Sequence, residues 1–277
     1  MPSGFRPEPR LIMAETEGYS TSTTKYEYNG ANELLKKIDP SGQTTQYKYD
    51  ANGNRISKVG NQTSDYFYDF ENRLTKIDEH NGKTIDYAYN GDGVRLSKTV
   101  NNPNSTKEVT KFVNDVANPL EQVLAIYDDK DNLQASYVYG NERISVHDMD
   151  TTTGAEKDPL YYLYDGLGSV VQLTDSTGKT ADQYSFDEFG NAVAGGKQSP
   201  NATNVLHNNF GYAGEQWDAE AGLQYLRNRY YDPEIGRFIN RDNVMGDAFA
   251  PLTQNLYTYT ANNPIVYGNL KLGQTAH

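Results

Sequence analysis

Apolar and polar side chains alternate along the first hundred residues instead of recurring at helical spacing. Tyrosines stand in pairs around a single residue: Tyr26 and Tyr28, Tyr47 and Tyr49, Tyr66 and Tyr68, Tyr87 and Tyr89. Alternation with period two puts both rings of a pair on one face of a strand. Asp or Asn follows each pair and opens a turn, as in Asp50-Ala51-Asn52-Gly53-Asn54, where glycine supplies a positive φ and the Asx side chain can bond the backbone two residues on. A second alternating run follows at residues 55–59, 73–78 and 95–100. There Ile56, Leu74 and Leu96 are expected on one face and the charges on the other. A further turn, Asp39-Pro40-Ser41-Gly42-Gln43 or residues 78–83, leads to the next tyrosine pair. The pattern predicts one β-hairpin every twenty residues or so. The second tyrosines fall at 28, 49, 68 and 89, in steps of 21, 19 and 21. Such a period marks a stacked repeat, whose units bury their apolar faces only against one another.

Composition strengthens the all-β reading. Tyr (23 residues) outnumbers Phe (9) and Trp (1), and an apolar body with a polar tip suits a half-buried sheet. With 36% hydrophobic residues and a mean hydropathy of −0.80, a thick dry core is not expected. No apolar run is long enough to span a bilayer, and the first ten residues do not form a secretory signal. The absence of cysteine removes disulfides and thiolate chemistry. A net charge of −12 repels phosphate backbones and argues against nucleic acid as a partner.

The second half varies the same text. Tyr137-Val138-Tyr139, Tyr162-Leu163-Tyr164-Asp165 and Tyr184-Ser185-Phe186-Asp187 extend the repeat, and Asn101-Asn102-Pro103-Asn104-Ser105-Thr106 is its clearest interruption. Denser phrases follow: Phe210-Gly211-Tyr212-Ala213-Gly214-Glu215, then Leu223-Gln224-Tyr225-Leu226-Arg227-Asn228-Arg229-Tyr230-Tyr231-Asp232-Pro233-Glu234-Ile235-Gly236-Arg237-Phe238, and Asn262-Asn263-Pro264.

These phrases, with Tyr164-Asp165-Gly166-Leu167-Gly168-Ser169, resemble the YD repeats and repeat-associated core of the RHS proteins. That family includes wall-associated and polymorphic-toxin proteins, cocoon subunits of insecticidal toxin complexes, and the teneurins. The resemblance covers residues 20–267. It implies an all-β fold of stacked hairpins curled into a partial, hollow barrel or shell with a C-terminal core plug. The expected organisation is an N-terminal extension (1–19), YD repeats (20–100), divergent repeats (101–160), a core (161–269) and a tail (270–277). The resemblance also implies a role in encapsulation, at the cell surface or in a secreted protein, as part of a larger product. Expected partners are other repeat-bearing chains or a toxin cargo; a surface adhesin holding cell-wall glycans on aromatic strand faces is the alternative from the binding class.

Chemistry in the family lies in the core, where many members cut themselves with two aspartates. Paired carboxylates work because both cannot ionise together: one keeps a proton for the leaving group while the other activates water. Arg241-Asp242-Asn243-Val244-Met245-Gly246 matches the phrase that carries the first, with Asn243 where Pro is usual. The second falls on Asn269, followed by Leu270 in place of Pro. An amide can neither hold the proton nor carry the charge, so Asp242 is the one catalytic candidate and the chain is expected to be cleavage-deficient. Asp247 has no counterpart in the family pattern. Arg227, Arg229, Arg237 and Arg241 are expected to hold the plug together by pairing with acids such as Asp218, Glu220, Asp232, Glu234 and Asp242. Arg241 and Asp242 read as a charge pair fixing a loop. His80, His147, His207 and His277 lack ligand spacing, residues 128–132 read as a solvated hairpin tip, and neither a metal nor a cofactor is expected.

Overall fold

The computed structural model describes residues 12–17, 20–117, 121–150, 152–193, 208–247, 249–250 and 253–267. Most of the expected N-terminal extension, the tail, His207, His277 and Asn269 lie outside the described residues. Sixteen strands form one antiparallel sheet in strict sequential order. They are β1 (Ile12–Glu17), β2 (Ser20–Tyr28), β3 (Leu34–Ile38), β4 (Thr44–Tyr49), β5 (Arg55–Val59), β6 (Thr63–Tyr68), β7 (Leu74–Glu79) and β8 (Lys83–Tyr89). The strip continues as β9 (Arg95–Asn101), β10 (Lys107–Asp115), β11 (Gln122–Tyr127), β12 (Leu133–Tyr139), β13 (Arg143–Asp148), β14 (Leu160–Tyr164), β15 (Val170–Thr174) and β16 (Thr180–Gln183). Residues 102–106 are the turn of the β9–β10 hairpin, so the sheet passes through the interrupted repeat unbroken. The strip also runs past residue 160, taking the start of the core-like text into the same sheet.

The repeated phrase builds the same hairpin end each time. Oδ1 of Asp50 accepts N–H bonds from Asn52 and Asn54 at 2.9 and 2.8 Å. Asn29, Asp69, Asn90, Asp128, Asp165 and Asp187 each accept from the residues two and four positions on. The fourth residue of the turn takes a positive φ, supplied by Gly53 (84°) in one unit and by Asn72 (62°) in another. Residues 128–132 are therefore the expected solvated hairpin tip, with Oδ1 of Asp128 taken by backbone donors and Oδ2 by the side-chain amides of Asn132 and Gln134.

Both rings of a tyrosine pair do share a face, and that face is buried. Tyr26, Tyr47, Tyr66, Tyr87, Tyr137 and Tyr162 are all buried, while the middle residues Phe67, Val138 and Leu163 stay exposed. The second tyrosine lies in a register shift that sequence pattern did not reveal, after Glu27, Lys48, Phe67, Ala88, Val138 and Leu163. The bulge at each of these six turns adds local twist, and it frees the second tyrosine to bond across strands. Tyr68, Tyr89, Tyr139 and Tyr164 donate their hydroxyls to the carbonyls of Arg55, Leu74, Val123 and Arg143 at 2.7–3.0 Å.

A second sheet of four short strands, β17 (Gln216–Asp218), β18 (Leu223–Leu226), β19 (Arg229–Asp232) and β20 (Arg237–Phe238), lies against the buried face of the strip. Leu223, Tyr225, Tyr230 and Ile239 pack on Tyr66, Leu74, Ile77, Ile85, Tyr87 and Val100. Each such aliphatic side chain contributes about 1.5–3 kcal/mol by leaving water. Farther along, Ile235 packs against Tyr26, Leu34 and Tyr47, and Phe210 joins Tyr137, Val146 and Tyr162. The plug thus fills the inner face of a partial, open shell, and the core is drier than composition suggested. A cavity of about 490 Å³ remains between the β11–β14 hairpins and the second sheet.

Candidate functional site

The seam between strip and inner sheet is where charge enters the core, at one repeat position. The residue paired across from the tyrosine that precedes each Asx turn is Leu34, Arg55, Leu74, Arg95, Leu133, Arg143 and Val170 in successive units. Arg55 and Arg95 are fully buried. The Arg55 guanidinium lies 5.6 and 4.6 Å from the ring centres of Tyr47 and Tyr66, and that of Arg95 lies 5.7 and 3.9 Å from Tyr87 and Tyr225. These stacked cations need anions, because guanidinium does not give up its proton. The inner sheet supplies them. Arg55 pairs with Asp232 at 2.7 Å; Arg95 pairs with Asp218 at 2.6 Å and donates to Oε1 of Gln216 at 2.6 Å. Lys98, also buried, reaches Glu220 at 2.7 Å and Asp218 at 3.5 Å. Burial opposes the charge on Asp218, yet Arg95 and Lys98 hold its carboxyl below the usual range. Burial likewise opposes Glu234, while Lys58 and Lys37, each at 2.8 Å, draw its carboxyl down to about 2.

This arrangement corrects two readings of the sequence. Leu96 was expected on the apolar face; it is 44% exposed, while Arg95 and Lys98 point inward because Asp218 and Glu220 wait there. The acids of the plug were expected to pair with its own arginines. Asp218, Glu220, Asp232 and Glu234 instead pair with cations of the strip.

The four predicted arginines have separate tasks. Arg227, at φ 60° in the β18–β19 turn, forks onto both oxygens of Glu215 at 2.9 Å. Arg229 stacks on Phe238, 3.6 Å from the ring centre, and pairs with Asp242 at 2.7 Å. Arg237 donates to the Asn32 carbonyl at 2.6 Å between the rings of Tyr28 and Tyr257. Arg241 donates its backbone N–H to the carbonyl of Gly53, and among the described residues no carboxylate pairs with it. The anticipated Arg241–Asp242 pair is therefore replaced by Arg229–Asp242. Gly53 is needed where it stands: a Cβ there would lie 2.6 Å from the Tyr257 hydroxyl and 3.0 Å from Cβ of Arg241.

Asp242 sits on the segment after β20, its side chain one-third exposed. Its Oδ1 accepts the N–H of Val244 at 2.9 Å and its Oδ2 faces Arg229. Among the described residues no second carboxylate is hydrogen-bonded to it. Asp247 accepts the N–H of Phe249 in a separate turn. His80 and His147 bond to Asp65 and Glu156 at 2.8 and 2.6 Å, and Asp148 pairs with Lys157.

Comparison with known proteins agrees with this architecture. A family model described as the teneurin YD-shell matches residues 96–265, and one for the RHS repeat matches residues 28–64. The chain is 32% identical over 259 residues to the tRNA(Glu)-specific nuclease WapA of Bacillus subtilis subsp. natto, a match covering 92% of this chain and 9% of that protein. It is 33% identical over 121 residues to toxin subunit YenC1 of Yersinia entomophaga, across 43% of this chain and 12% of the other. Among solved structures, the TcdB2-TccC3-TEV complex superposes with a TM-score of 0.61 at 21% identity, and the Photorhabdus luminescens Tc holotoxin pore with 0.60 at 19%; each covers 88% of this chain and 13% of the other. The chain spans about a tenth of the length of these relatives. Sequential hairpins, the tyrosine-pair turns and the family matches together show that this chain belongs to the RHS/YD-repeat family, with YD-shell sequence over residues 96–265.

Proposed function

We propose that the chain works as a structural segment of an encapsulating shell, in a secreted or cell-surface toxin-like protein, and does not cut itself. The observation that carries this reading is the strip of sequential hairpins whose inner face is closed over the second sheet. Among the described residues β1 and β16 are the two edges of the strip, and such edges suit continuation by further repeats of a longer chain or by another repeat-bearing chain. A cargo would be held by that larger enclosure. Silence as a protease is supported by Asp242: its carboxylate is committed to Arg229 and the Val244 N–H, and the position where a second aspartate belongs reads Asn269. The glycan-adhesin alternative needs exposed tyrosine pairs, whereas the first tyrosine of each pair is buried in six units. Among the described residues no helix is long and apolar enough to cross a membrane.

Mass spectrometry of the purified chain tests the reading. A single intact species of 31.0 kDa after prolonged incubation is expected. A fragment beginning after residue 268 that disappears in Asp242→Asn would establish an active cutting site instead.

A further inference from the structure

Arg143 occupies the same repeat position as Arg55 and Arg95, and it is the one of the three without an acid. It stands across from the second tyrosine of its unit, Tyr139, as Arg55 stands across from Tyr49 and Arg95 from Tyr89. Its guanidinium lies 5.8 Å from the ring centre of Tyr137, 5.4 Å from Tyr162 and 3.1 Å from Phe210, the same aromatic cage in a third copy. Nε donates to the Tyr139 hydroxyl at 3.1 Å. The Tyr164 hydroxyl is a second hydrogen-bond partner of the Arg143 side chain, and among the described residues no carboxylate pairs with it. Where Asp232 and Asp218 stand in the other two copies, this copy opens onto the cavity of about 490 Å³.

We propose that this cavity is a binding site for a ligand carboxylate, received by the Arg143 guanidinium in the place that the inner sheet's aspartates fill at Arg55 and Arg95. A cation stacked on aromatic rings cannot neutralise itself by losing a proton, and an opposite charge is its most effective partner. A planar carboxylate matches two parallel N–H donors. The walls set the rest of the ligand: the aromatic residues Phe210, Tyr164 and Tyr225 are among those that line it, and the volume lies within the usual range for small-molecule sites. Of the three acids that line the cavity, Glu215 is already neutralised by Arg227, burial pushes the Glu121 carboxyl up, towards its uncharged form, and Glu142 is exposed to solvent on the β12–β13 turn.

Titration calorimetry of the full chain with phenylacetate and with the neutral isostere phenylacetamide tests the assignment. Phenylacetate is expected to bind at least tenfold more tightly than the amide, and to lose at least that factor in Arg143→Leu, since a hydrogen bond to a charged group contributes about 1.5–3 kcal/mol. Leucine is chosen because Leu34, Leu74 and Leu133 hold this position in other units, so the variant should fold; its thermal unfolding verifies that. In the unmodified protein, a 4-bromophenylacetate soak should place bromine in the cavity. A blocked Phe-Asp-Phe peptide, compared with Phe-Asn-Phe, distinguishes a chain segment from a free organic acid as the source of the carboxylate, and preference for either acidic probe supports the site. Equal binding of the acid and amide members in both pairs, undiminished binding by folded Arg143→Leu, or bromine only at other places would overturn it.

Discussion

At the scale of single residues, the seam turns on a choice between leucine and arginine at one repeat position. Leu34 and Leu74 meet the inner face as ordinary apolar side chains, while Arg55 and Arg95 do so only with Asp232 and Asp218 opposite. A buried pair is not in itself a strong source of stability, but half of one is a serious loss. Asp232→Ala should therefore cost about 3–5 kcal/mol in denaturant unfolding, and Arg55→Leu combined with Asp232→Leu should recover most of it. If the double variant stays as unstable as the single one, the pair does more than neutralise charge. Little of this was legible in the sequence. Arg95 lies 123 residues from Asp218 and Arg55 lies 177 from Asp232, so nothing within a repeat shows that these cations turn inward. Alternation alone puts charge outside, and it misplaced Leu96 for that reason. Asp242 was legible as a candidate and as an acid for one of the plug's arginines; that the arginine is Arg229 was not, because Arg241 is its nearer neighbour in sequence.

At the scale of elements, the hairpins were readable because each is written within about twenty residues. Tyrosine pair, Asx, turn and alternating run all sit inside one unit, so local chemistry dictates local structure. The bulge at the second tyrosine escaped, since a register shift leaves no mark on the residue pattern. The turns themselves make a prediction. Asp128→Asn should leave stability nearly unchanged, because Asn29 and Asn90 hold the same two backbone donors in their own units. Asp128→Ala removes both backbone contacts together with the bonds from the Asn132 and Gln134 side chains, and should cost about 1–2 kcal/mol, read by thermal unfolding. Equal losses in the two variants would mean that the charge, not the Asx geometry, supports the turn.

For the whole molecule, the folded state is bounded by pH on both sides. The carboxyls of Asp218 and Glu234 sit below their ordinary values of 3.8 and 4.5, Glu234 at about 2. The contribution of Glu234 is present above 4.5 and falls as pH drops towards 2, reduced by solvent screening because the side chain is half exposed; that of Asp218 is present above 3.8 and is lost as pH falls below it. Burial pushes the hydroxyls of Tyr49, Tyr89 and Tyr164 from 10 up to about 12, so their contribution is intact below 10 and lost as pH climbs towards 12. Denaturant unfolding should show a plateau between about pH 5 and 9 with a decline on either side. Asp218→Asn should flatten the acid limb while leaving the alkaline limb in place.

The account rests most heavily on strip and inner sheet being one cooperative body, a shell wall closed over its own plug. Native-state hydrogen exchange measures this directly. The amides of Leu223–Leu226 and Arg229–Asp232 are predicted to exchange only with the opening that also releases β5 to β9, at one shared free energy. Exchange of the inner strands at much lower free energy, while β5 to β9 stay protected, would contradict it.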